Sequence, residues 1–76
     1  MKSYGNNITI EKVGVSLLFK YNGVDFIRYN TERNNTIYLA SSSSFNSAEF
    51  LQIEAIVIDA IEQYAKSPDE FKKRHL

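Results

Sequence analysis

The residues best suited to chemistry are a carboxylate pair, a serine run and a basic tail. Asp59 and Glu62 stand three apart in a stretch of helical periodicity, which places both on one helix face where they could share a hard cation. The same spacing is ordinary on a solvated helix, and that is the role expected here. The serines at 41–44 supply hydroxyls. The single histidine, His75, sits at the far end of the chain with no partner set by spacing, so a Ser-His-Asp assembly is not expected. Cysteine is absent, which removes thiol nucleophiles, disulfides and Cys-based metal sites. Gly5, Gly14 and Gly23 never cluster into a phosphate-binding loop, and their even spacing is no repeat because the flanking residues differ. No catalytic residue, metal or cofactor is expected, and the chain reads as a non-enzyme.

Lys66, Lys72, Lys73 and Arg74, with His75 beside them, form the one basic cluster. Tyr21, Tyr29 and Tyr38 are aromatic groups that could stack on bases. Basic residues also gather at helix C-termini, where they complement the dipole. Nine basic and nine acidic side chains leave a formal net charge of zero, without the excess that marks a general grip on nucleic acid. A nucleic-acid-binding accessory protein is therefore the alternative reading and not the favoured one.

The elements that must hold these residues come from hydrophobic patterning. The 76 residues suit one small domain, whose core buries roughly 60–65% of the unfolded surface. The predicted fold is α+β, an antiparallel β-meander of three to four strands packed on one face by a single C-terminal helix. Residues 1–7 read as a flexible N-terminus, 8–40 as the meander, 41–45 as a linker, 46–67 as the helix and 68–76 as a helical extension or a frayed tail.

Within the meander, residues 15–21 and 24–30 flank Asn22-Gly23, the pair that readily occupies both positive-φ positions of a type I′ turn. The implied register sets Tyr21 opposite Val24, Phe19 opposite Phe26 and Leu17 opposite Arg28 on the core face. Lys20 and Asp25, Leu18 and Ile27, and Ser16 and Tyr29 then pair on the outer face. Gly14 is either a turn or a bulge, and residues 36–40 read as the fourth strand.

The predicted helix starts at Asn46 as N-cap, with Glu49 closing a capping box and Phe45 and Phe50 forming a hydrophobic staple. Phe50, Ile53, Val57, Ala60, Ile61 and Tyr64 form its apolar stripe, with Ile56 and Ile58 on the shoulders. That arc, about 200° wide, exceeds the ≳100° that covering one sheet needs. Glu54 lies inside it.

Two surfaces are thus left over, the helix shoulders and an outer sheet face carrying Leu18, Ile27 and Tyr29, joined by Tyr38. Together with Glu54, Ile56 and Ile58 they make an expected protein interface, with Glu54 facing Arg28 or a polar group across it. The expected function is a protein-protein interaction module, a small regulator or inhibitor acting as a homodimer or on another protein. The polar N-terminus and the absence of a long apolar run point to a cytoplasmic protein that does not enter a membrane.

Overall fold

Three two-residue turns build the sheet. Asn22 (φ 52°) and Gly23 (φ 80°) both take positive φ, as the type I′ turn requires, and Asn6 (φ 57°) and Asn7 (φ 62°) do the same two hairpins earlier. Gly14 (φ 60°) leads the turn between them, and Val13 pairs directly with Ser16, so Gly14 is a turn residue and not a bulge. The computed structural model, which describes residues 2–40 and 45–76, has strands β1 (Lys2–Gly5), β2 (Ile8–Val13), β3 (Ser16–Tyr21), β4 (Val24–Asn30) and β5 (Asn35–Tyr38). They form one antiparallel sheet in chain order. Helices α1 (Ser47–Lys66) and α2 (Pro68–His75) follow.

The α+β meander agrees with the sequence reading, and its details correct that reading in four places. Residues 2–5, expected to be flexible, are a fifth strand held by the Asn6-Asn7 turn. The last strand ends at Tyr38, although the N–H groups of Leu39 and Ala40 still reach Phe26 O at 2.9 and 3.3 Å. The single predicted helix is two, because residues 68–76 take the helical of their two expected forms as a separate helix, Pro68–His75. The serines at 41–44, most of the predicted linker, lie outside the described residues.

The fourth correction concerns the register. Tyr21 faces Val24 and Lys20 faces Asp25, with Lys20 Nζ 3.8 Å from Asp25 Oδ1, as the turn implies. Then the pairing shifts by one residue: Phe19 faces Ile27, Leu18 faces Arg28 and Leu17 faces Tyr29. The extra residue is Phe26, so Phe26 and Ile27 both enter the core, at 1% and 0% exposure. An unbulged hairpin would have turned the Arg28 guanidinium inward and left Ile27 and Tyr29 in water. Desolvating an unpaired charge costs more than a local break in the ladder, and the bulge avoids it.

The core follows from that register. Ile8, Ile10, Leu17, Phe19, Phe26, Ile27 and Tyr29 meet Ile53, Val57, Ala60, Ile61 and Tyr64 of α1. Asn46 caps α1, its Oδ1 accepting the Glu49 N–H at 2.7 Å, and the Phe45 and Phe50 rings lie 6.5 Å apart as the staple predicts. Glu49 turns its carboxylate to the sheet, where it accepts from Tyr21 Oη at 2.9 Å. Asn46→Ala is expected to lower stability by about 1 kcal/mol. Chemical denaturation reads this as a lower midpoint at unchanged slope.

The chain breaks at Ser67 (φ −146°, ψ 78°), and Pro68 starts α2 at a position where its missing N–H costs nothing. Phe71 then folds back, edge-on to Tyr64 at 5.6 Å and stacked on Tyr4 of β1 at 6.4 Å. Ile56 and Ile58 are half-buried against the core.

Candidate functional site

Side chains alternate across a strand, so filling the core assigns the other face by default. Leu18 of β3, Arg28 of β4 and Ile37 of β5 are successive cross-strand neighbours on the face away from the helices. Val13, Ile37 and Leu39 are 42%, 46% and 46% exposed, and Leu18 is half-buried beside them. Val13, Leu18, Asp25, Arg28 and Leu39 line a shallow hollow of about 210 Å³. Among the described residues nothing covers this face.

The predicted interface residues do not stay together. Leu18 is on the open face as expected. Ile27 and Tyr29 are core residues, carried inward by the bulge. Tyr38 faces Ile27 across the strands and so sits on the helix side, where its hydroxyl donates to Glu54 Oε2 at 2.7 Å. That bond explains the polar residue inside the helix arc: Glu54 clasps the sheet edge, on the opposite side of the sheet from Arg28 of the same chain. Ile56 and Ile58 flank the core. The open face instead gains Ile37 and Leu39, which sequence reasoning missed because the register past Phe26 was one residue out, and Val13, which the Gly14 turn pairs with Ser16.

The basic cluster is less concentrated than its sequence suggests. Arg74 Nη2 lies 3.1 Å from Glu70 Oε1, and the His75 ring packs against Tyr4 and Phe71 at 4.8 and 4.7 Å. Lys66 and Arg74, with Gln63, Ser67, Glu70, Phe71 and His75, line a groove of about 200 Å³ between the helices. Lys73 is exposed and Lys72 half-buried, with the acidic Asp69 and Glu70 interspersed. Tyr21 and Tyr29 are buried and Tyr38 is committed to Glu54, so none offers a free ring to a base on the open face. Asp59 Oδ2 accepts from Gln63 Nε2 at 2.8 Å, and the described residues contain no cluster of three or more metal-ligating side chains. Among the described residues no helix is long and apolar enough to cross a membrane.

Two tyrosines lock sheet to helix, and their chemistry is testable. The hydrogen bonds to Glu49 and Glu54 raise the Tyr21 and Tyr38 hydroxyls above their ordinary value, with desolvation adding to both. Burial raises Tyr4 and Tyr29, reinforced by Asp59 and by Tyr64 respectively. Each shift favours the protonated form in the fold. The stabilisation is therefore complete below the unfolded value of about 10 and is lost as pH rises through the elevated folded values. Urea midpoints are expected to fall above pH ~10. The Tyr21→Phe/Tyr38→Phe double variant should fall less steeply over the same range.

No protein-family model matches the chain, and no curated protein or solved structure is detectably similar to it.

Proposed function

We propose that this chain is a protein-protein interaction module, a small regulator or inhibitor that acts by presenting a surface and not by catalysis. The observation that supports this reading is the open sheet face, on which Val13, Ile37 and Leu39 stand roughly half exposed around Leu18. Solvated faces of antiparallel sheets normally alternate to polar residues, and contiguous apolar groups there usually mark a contact. Arg28 and Asp25 at the rim of the hollow supply charges of both signs, which suits a protein partner better than a polyanion.

Capture from a native-host extract onto the immobilised chain tests the reading. A protein retained through high salt by the wild type, and lost with Leu18→Glu, supports it. Retention of nucleic acid that declines steeply with salt and is equal for both chains overturns it.

A further inference from the structure

We propose that the β5 edge of the sheet pairs with a second copy of the chain, joined β5 to β5 across a two-fold axis into one continuous sheet. It goes beyond the reading of the open face: the pairing engages the sheet's edge, and it extends that face and leaves it uncovered.

Hydrogen-bond parity decides which backbone groups of β5 point outward. Leu39 N–H bonds Phe26 O, and the β4–β5 register continues through Arg28 opposite Ile37 and Asn30 opposite Asn35. Antiparallel ladders alternate hydrogen-bonded and non-hydrogen-bonded pairs. Ile37 and Asn35 therefore aim their backbone groups at β4, and Thr36 and Tyr38 aim theirs outward. On the other side of β4, Thr31 N–H bonds Val15 O, which puts Tyr29 and Ile27 in the bonded pairs with β3 and agrees with this assignment.

The sheet's two edges differ. β1 is bulged between Ser3 and Gly5, and Tyr4 is clamped by Phe71 and His75 of α2. β5 has no bulge, no proline and no charged residue, and Ile37 and Tyr38 are 46% and 48% exposed. Exposed edges without such protection pair with other strands.

Among the described residues nothing pairs with the outward side of β5, and that edge fits itself. With Thr36 opposite Tyr38 of the second copy, both outward residues exchange N–H···O bonds in both directions. Ile37 then meets its own symmetry mate, with Cβ atoms roughly 4.5–5.5 Å apart. Shifting the two-fold in one direction engages Asn34, which lies in the left-handed region (φ 53°), and in the other engages Ala40, whose N–H turns back to Phe26. One register uses the whole free edge. A two-fold perpendicular to the sheet keeps both helix layers on the same side and joins the open faces. Formal net charge zero adds no long-range repulsion between copies.

Sedimentation equilibrium across a micromolar range tests the pairing. The wild type is expected at twice 8.7 kDa, dissociating on dilution. Ile37→Lys, which sets like charges directly opposite, and Thr36→Pro, which removes an outward N–H, should each sediment as monomers with unchanged circular dichroism. A monomeric wild type overturns the pairing. So does a dimer that survives both substitutions. If the wild type is monomeric while host-extract capture still depends on Leu18, the interaction reading stands and only the second copy is lost.

Discussion

Ile27→Lys is expected to unfold the protein, while Ile37→Lys leaves it folded. The two isoleucines stand near each other on adjacent strands, Ile27 opposite Tyr38 and Ile37 opposite Arg28. Only the bulge at Phe26 separates their fates, placing Ile27 in the core at 0% exposure and Ile37 on the open face at 46%. An ammonium at Ile27 would be surrounded by Phe19 and the other buried apolar groups, with no described carboxylate in the core. Burying an unpaired charge costs several kcal/mol, comparable with the ~5–15 kcal/mol that holds a typical domain together. At Ile37 the change should stay within about 0.5 kcal/mol when both proteins are compared as dilute monomers. The measurement is far-ultraviolet circular dichroism with urea denaturation. Near-wild-type stability in Ile27→Lys would restore the unbulged hairpin and remove Ile27 and Tyr29 from the core.

Phe71→Ala is expected to cost about 3–5 kcal/mol, the range for removing a buried aromatic side chain. The residue is 3% exposed and is the buried anchor of α2. Its ring touches Tyr64 on α1 and Tyr4 on β1, so the loss should reach both termini of the chain. Amide exchange in β1 and α2 is expected to speed up together, ahead of β3 and β4. Denaturation gives the total loss and exchange gives its distribution. If α2 alone becomes labile, Phe71 does not couple the two ends.

The legible parts of this fold were those written in local chemistry. Asn22-Gly23 specified its hairpin because its backbone angles demand such residues. Asn46 with Phe45 and Phe50 specified the start of α1, and Pro68 its end. The period of Ile53, Val57, Ala60, Ile61 and Tyr64 identified the buried stripe correctly. The bulge was not legible from spacing, because a turn dictates register only until an extra residue intervenes. One composition clue existed: the unbulged register buried Arg28 and exposed Ile27 and Tyr29. β1 carried its own signal in Asn6-Asn7, a dipeptide able to take two positive-φ positions, but four residues beside a terminus give little periodicity to support it. The open face was therefore half readable. Leu18 was placed on it, whereas Ile37 and Leu39 required the true register, and the free edge of β5 required hydrogen-bond parity that no side-chain pattern records.

Amide hydrogen exchange at Thr36, Ile37 and Tyr38, followed as concentration rises, tests the central claim most directly. In the dilute monomer the Ile37 N–H is bonded to β4 and protected, while Thr36 and Tyr38 exchange near open-chain rates. Pairing of two β5 edges predicts that Thr36 and Tyr38 gain protection together as concentration increases, with Ile37 little changed. Thr36 and Tyr38 amides that stay fast at every concentration, beside a protected Ile37, would contradict it.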